Sequence, residues 1–111
     1  MAGVLRGDIW WADLNPTISS EQAGVGPVLV ISHGVFNERS QTAIILAITG
    51  KPQRAGFPLT CEITSSRLPR QSWVKISQIR TISVQRLRER IDHILPEEMD
   101  RIIEGLYEII G

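Results

Sequence analysis

Short runs of β-branched and aliphatic residues, separated by turn-forming residues, most constrain how this chain can fold. The clearest runs cover residues 27–32 and 42–49. Both are almost continuously apolar, which is typical of central strands buried on both faces. The longest unbroken apolar run, 43–48, is too short to cross a bilayer. With 111 residues, 42% of them hydrophobic and 22% charged, the chain is predicted to form one globular domain over residues 1–111.

Weaker patterns complete the predicted order of elements. Residues 34–40 have room for at most one helical turn, and Ser83 is a plausible N-cap for a short helix over 84–88. Pro, Gly and Ser residues predict exposed loops at 17–26 and 51–58. Alternating or β-rich stretches predict three further strands, at residues 8–14, 59–64 and 72–76.

The C-terminal segment carries the clearest helix signal. Pro96 suits the first helical position, and acidic residues follow in the first turn. Apolar residues then recur at three- and four-residue spacing: Met99, Ile102, Ile103, Leu106, Ile109 and Ile110. Several short strands and one amphipathic helix predict a mainly β fold, a small barrel or curled sheet with the helix packed over it.

Charge is distributed unevenly, although the formal net charge is zero. Residues 1–37 carry −2, residues 38–90 carry +7 from ten basic and three acidic side chains, and residues 91–111 carry −5. The positive segment fits a solvated surface or a groove for an anionic partner. RNA and an acidic peptide fit such a groove equally, because the same cations neutralise either.

The sequence gives no sign of metal or cofactor chemistry. His33, Cys61 and His93 lack the spacing of a zinc-ligand set, so we expect no metal and no cofactor. Cys61 stands in an alternating segment as a small core residue, and the two histidines are interpreted as structural rather than as an acid–base pair. The N-terminus lacks a basic region followed by an apolar stretch, so we expect a cytoplasmic protein without a signal peptide or membrane segment.

Several motifs in a fixed order are more specific. They are RGDIWWADLNP at 6–16, SEQAG at 20–24, PVLVIS at 27–32, AIT at 47–49 and QIRTI at 78–82. Together they resemble the MazF/PemK family, the toxin subunits of bacterial type II toxin–antitoxin pairs. The resemblance runs from Arg6 to the final helix.

The resemblance implies an SH3-like barrel of the MazF/CcdB toxin type that forms a homodimer. It also implies a metal-independent endoribonuclease that cuts single-stranded RNA, often messenger RNA, at a short sequence. In the family the RNA 2′-hydroxyl is the nucleophile, and the products carry a 2′,3′-cyclic phosphate and a 5′-hydroxyl. A cognate antitoxin with an acidic or disordered C-terminal segment wraps such a toxin and blocks RNA.

The resemblance also implies roles for individual residues. Thr49 matches the threonine at the scissile phosphate, where its hydroxyl donates a hydrogen bond. Glu21 and Gln22 lie on a loop that closes over the RNA, and the glutamate helps to form the site. Gln78 is placed to read a base edge, and Phe57 stands where the family has an apolar residue that touches a base.

The chain departs from the family at Gly26. The family order is Glu-Gln-x-Gly-x-Arg-Pro, and its arginine stabilises the phosphorane, whereas Gly26 precedes Pro27 here. Loss of one such donor lowers the reaction rate by about 10²–10³, so the resemblance predicts an impaired enzyme. No neighbouring residue is an obvious replacement for the arginine, and Arg80 and Arg54 are the candidates to reach the groove. The chain is either a naturally weakened member or one whose arginine was replaced to make a toxic protein expressible; the intact motifs elsewhere favour replacement.

Three other functions are compatible with the same residues. One is a nonenzymatic module that binds RNA or an antitoxin tail in the same groove. Another is a gyrase-poisoning toxin of the CcdB type, which the SEQ loop and Thr49 make the weaker interpretation. A DNA-binding barrel is weaker still, because the final helix is acidic and cannot serve as a basic recognition helix.

Overall fold

Two apolar central strands organise the sheet of this protein. The computed structural model describes residues 3–15, 24–64 and 67–111. Within them the strands are β1 (Asp8–Asp13), β2 (Val25–Val30), β3 (Thr42–Thr49), β4 (Thr60–Ile63), β5 (Ser72–Ser83) and β6 (Leu87–His93). The helices are α1 (Gly34–Ser40) and α2 (Pro96–Ile110), and a 3₁₀ turn spans Val84–Arg86. The strands are antiparallel in the order β4-β5-β3-β2-β1-β6.

Strands β2 and β3 are buried on both faces of the sheet, as their apolar sequences predict. On one face, Leu29 and Leu46 join the cluster of buried residues that α2 covers through Ile102. On the other face, Val28 and Ile45 join a second buried cluster. Burial of each such side chain stabilises the fold by about 1.5–3 kcal/mol. The mainly β fold with a C-terminal helix is therefore confirmed.

The C-terminal half of the chain differs from prediction in its strands. Strand β5 extends to Ser83 instead of ending at residue 76, and β6 was not predicted. The predicted helix over 84–88 is only a 3₁₀ turn, although its cap is correct: the Ser83 hydroxyl accepts a hydrogen bond from the Gln85 N–H at 3.2 Å. Strand β6 lies at the sheet edge with mostly exposed polar residues, so its sequence lacks the alternation of a half-buried strand.

The two helices also refine the predictions. Helix α1 has seven residues, close to two turns rather than at most one. Helix α2 begins at Pro96 as predicted and buries Met99, Ile102 and Gly105. The apolar stripe is covered only in part, since Ile110 at the last turn is 68% exposed. Neither helix, among the described residues, is long and apolar enough to span a membrane.

A buried carboxylate joins the N-terminal segment to β1 and β6. The Asp8 side chain is fully buried and accepts hydrogen bonds from the Leu5 N–H at 2.9 Å and from Trp10 Nε1 at 3.4 Å. Two basic residues reach it from β6: Arg90 Nε lies at 3.1 Å and His93 Nδ1 at 3.0 Å. Burial alone would raise the pKa of Asp8, but these hydrogen bonds, led by that of His93, outweigh burial and hold the pKa below its ordinary value.

Replacing Asp8 tests this network. We expect Asp8→Asn to lower the free energy of unfolding at pH 7 by about 2–3 kcal/mol, because charge-assisted hydrogen bonds are lost in a buried site. Because the pKa of Asp8 is lower in the folded than in the unfolded state, the ionised carboxylate stabilises the fold at pH values above the unfolded-state pKa. This stabilisation is lost as the pH falls through the folded-state pKa. The free energy of unfolding, measured with urea between pH 7 and pH 2, should therefore decrease less on acidification in Asp8→Asn than in the original protein.

The matched control for this experiment is Asp13→Asn. Asp13 also faces a basic residue of β6, with Arg88 Nη2 at 3.4 Å, but that pair is solvent-exposed. Exposed ion pairs stabilise proteins little, so the control should lose much less stability than Asp8→Asn. Equal losses in the two variants would contradict the importance of the buried network.

Candidate functional site

A pocket of about 290 Å³ opens where the start of β2 meets the end of β3. Its walls include Gly26 from β2, Thr49 from β3 and Gly50 and Lys51 from the loop that follows. The segment that leads into β5 closes another side with Arg70 and Ser72. The pocket thus combines a hydroxyl group, exposed backbone and two basic side chains in one concave surface.

The strand register explains why Gly26 and Thr49 meet. Val28 of β2 pairs with Ala47 of β3 in an antiparallel ladder. Continuing this register by two residues places Gly26 opposite Thr49, although 23 positions of sequence separate them. Gly26 is itself buried and pairs with Ala12 of β1. The two positions predicted to share a site therefore line one pocket, while their chemical roles stay predictions.

Thr49 is held in place at the last position of β3. It pairs with Trp73 of β5 and is only 7% exposed. Its hydroxyl oxygen accepts a hydrogen bond from the Lys51 N–H at 3.2 Å. This bond uses a lone pair of the oxygen, so the hydroxyl proton can still be donated to an anionic oxygen in the pocket.

Lys51 and Arg70, the two basic residues of the pocket, were not predicted as site residues. Lys51 follows directly after Thr49 and Gly50, so proximity in sequence could have suggested it. Arg70 comes from a distant segment, and only the pairing of β5 with β3 brings that segment to the end of β3. No local motif distinguishes Arg70 from the other basic residues between positions 38 and 90.

The other predicted contact residues lie outside the pocket lining. Gln78 is a half-buried residue of β5, in the stretch where the register with β3 shifts. Arg80 pairs with Ile45, and its Nη1 donates to the Leu14 carbonyl at 2.7 Å. Arg80 therefore bridges strands at a different place, and Arg54 does not line the pocket either. Glu21 and Gln22 lie outside the described residues.

Phe57 is packed against the helix rather than against the pocket. Its ring joins the core cluster beneath α2, and the Arg101 guanidinium lies 4.2 Å from the ring centroid. A Cβ built on Gly105 would come within 3.0 Å of Cε2 of the ring, so the helix approaches closely here. The predicted contact of Phe57 with a base is untested, and the visible role of the ring is to seat α2.

Truncation of Phe57 separates these two roles. We expect Phe57→Ala to lower the free energy of unfolding by about 1–3 kcal/mol, since a half-buried ring and its cation–π contact are lost. Chemical denaturation measures this loss, and fluorescence anisotropy with single-stranded RNA should show little change in affinity. Leu59→Ala, which truncates an exposed apolar side chain near the same loop without a change of charge, is the control. Unchanged stability with weakened RNA binding would instead favour the base contact.

Comparison with known proteins matches this chain to a described family. A family model for "PemK-like, MazF-like toxin of type II toxin-antitoxin system" matches residues 5–110. Endoribonuclease EndoA of Bacillus subtilis is 47% identical over 105 residues, which cover 93% of this chain and 90% of that protein.

Solved structures share the fold. A crystal structure of MazF from Deinococcus radiodurans matches with a TM-score of 0.87 at 18% identity, and the match covers 100% of this chain and 99% of that one. A mycobacterial endoribonuclease in complex with its cognate antitoxin matches with a TM-score of 0.79 at 22% identity, over 97% and 95% of the two chains. At these identities the structural matches support the arrangement of strands and helices.

Proposed function

Because the chain belongs to the PemK-like, MazF-like family of type II toxin–antitoxin toxins, we propose that it is an endoribonuclease that cleaves single-stranded RNA without a metal cofactor. The observation that carries the proposal is the pocket that joins Thr49, position 26 and two basic side chains. The identity of 47% to a protein named as an endoribonuclease supports it.

The proposed reaction is an internal transesterification. The 2′-oxygen of the RNA forms a new bond to the adjacent phosphorus while the bond from phosphorus to the 5′-oxygen breaks. A base takes the 2′-hydroxyl proton and an acid gives a proton to the leaving 5′-oxygen, so a 2′,3′-cyclic phosphate and a 5′-hydroxyl result. The requirement for a 2′-hydroxyl makes DNA unreactive.

The pocket residues supply the electrostatic part of this reaction. The Thr49 hydroxyl donates to a non-bridging phosphate oxygen, in a position fixed by its hydrogen bond with the Lys51 N–H. The charge of Lys51 attracts the phosphate. By resemblance to the family, Glu21 and Gln22 contribute from the segment that precedes β2 in the sequence, and Gln78 contacts a base beyond the pocket. Such preorganised donors act on charge that develops in the transition state.

Gly26 lowers the rate of the proposed enzyme. A glycine at this position offers no side-chain donor to the phosphorane, and it lies directly across the pocket opening from Thr49 by strand register. We expect Gly26→Arg to raise the cleavage rate by about 10²–10³, the usual effect of one such donor. The measurement is single-turnover cleavage of long single-stranded RNA in EDTA, with analysis of the fragment ends for 5′-hydroxyl groups.

Two controls make this experiment specific. Gly56→Arg adds the same charge in an exposed loop, where a Cβ meets no atom within 4 Å, and it should leave the rate unchanged. Thr49→Val in the Gly26→Arg background should abolish most of the gain, since the hydroxyl donor is lost. If neither the original chain nor Gly26→Arg cuts a varied set of RNAs, the nonenzymatic binding module replaces the enzyme as the better explanation.

The proposal includes the partners of such a toxin. A protein of similar fold has been solved in complex with its cognate antitoxin, and residues 38–90 of this chain carry +7. We therefore propose a homodimer in the cytoplasm that an antitoxin blocks with an acidic segment over the RNA site. Such binding should weaken as salt concentration rises. Simultaneous, non-competitive binding of RNA and antitoxin would contradict a shared surface.

A further inference from the structure

We propose that Arg70 contacts the scissile phosphate directly and partly replaces the guanidinium that position 26 of this pocket lacks. The inference rests on the proposed function, since it names a further catalytic residue for the same reaction. Arg70 and Gly26 line the same pocket although they are far apart in sequence: Arg70 precedes β5 and Gly26 lies in β2. The chain thus has a cation at the site despite its glycine.

The Arg70 side chain occupies space that is open because residue 50 is a glycine. Its stem lies directly over Gly50, where an added Cβ would overlap Cδ and would come within 2.8 Å of Cγ and 3.3 Å of Nε. A side chain at position 50 would therefore push the arginine away. Gly50 follows Thr49 directly, and Thr49, Gly50 and Arg70 line the same pocket.

The backbone of Arg70 is held from both sides. The Ser72 hydroxyl donates to the Arg70 carbonyl at 2.9 Å, and Ser72 itself is only 4% exposed and paired with Ile63 of β4. Two residues before the arginine, Leu68 is 7% exposed within the main core cluster. An exposed guanidinium carried by a held backbone loses less conformational entropy when it binds a phosphate than one carried by a free loop.

The charge of Arg70 is available to an anion. The ion pairs among the described residues engage Arg88, Arg90 and His93 with Asp8 or Asp13, and Arg70 takes no part in them. A guanidinium matches two phosphate oxygens with its planar fork, which the ammonium of Lys51 cannot do. A guanidinium carries only hydrogen-bond donors, so Arg70 acts on the phosphorane through its charge and its N–H groups.

A double-mutant cycle tests whether Arg70 substitutes for the missing side chain. In the original chain, Arg70→Gln should lower the single-turnover cleavage rate by about tenfold, less than the effect of about 10²–10³ that a fully placed donor has. In the Gly26→Arg background the same change should cost less than about threefold, because the arginine at position 26 then meets the phosphate. Equal losses in the two backgrounds, or no loss in the original chain, would overturn the proposal.

Further variants separate charge, geometry and stability. Gly50→Ala should reproduce the loss of Arg70→Gln with an unchanged set of charges, because the added methyl group displaces the arginine stem. Arg39→Gln removes the same charge from α1, which precedes the start of β3, whereas the pocket lies at the far end of that strand. This control variant should therefore leave the cleavage rate unchanged. Thermal unfolding checks that all variants are folded at the assay temperature.

A binding measurement distinguishes failure of this inference from failure of the proposed function. The probe is a mixed-sequence oligodeoxynucleotide, which cannot be cleaved by 2′-hydroxyl attack. Arg70→Gln should reduce the slope of log affinity against log salt concentration by about 0.7, the value for one phosphate contact in a single strand. If no variant cuts RNA but this slope still falls, the nuclease proposal fails and the phosphate contact stands; an unchanged slope overturns the contact itself.

Discussion

Burial of β2 and β3 on both faces is the constraint on which the rest of this structure depends. Their residues alternate between the cluster beneath α2 and the cluster on the opposite face. A slip of one residue would exchange every side chain between the two faces, so the register is strongly specified. The same register sets Gly26 level with Thr49, which makes the geometry of the pocket a consequence of core packing.

The sequence predicts those parts of the molecule in which local pattern and tertiary environment agree. Strand β3 has the predicted bounds of residues 42–49, because eight mostly apolar residues leave little choice. Helix α2 begins at Pro96, since its first-turn signals and apolar spacing coincide. Strand β6 could not be predicted, because its charged residues form a strand only through pairing with β1 at the sheet edge.

The candidate site likewise has residues that the sequence predicts and residues that it does not. That positions 26 and 49 line one pocket could be predicted, because motifs matched by resemblance lie on the two strands with the strongest patterns, while the chemical roles of the two residues stay predictions. Arg70 could not, since no local pattern separates it from the nine other basic residues of the positive segment. Its position in the pocket depends on the pairing of β5 with β3, on the burial of Leu68 and on the space left open at Gly50.

The charged edge of the sheet limits how another chain can attach to this one. Strand β6 pairs with β1 on one side, while its other side ends the sheet. Arg88, Glu89 and Arg90 are exposed along this edge. Charged side chains on an edge strand oppose the addition of a further strand. Extension of the sheet at β6 by a second copy or a partner peptide is therefore disfavoured, and recognition at this edge depends on the charge and shape of side chains instead of backbone pairing.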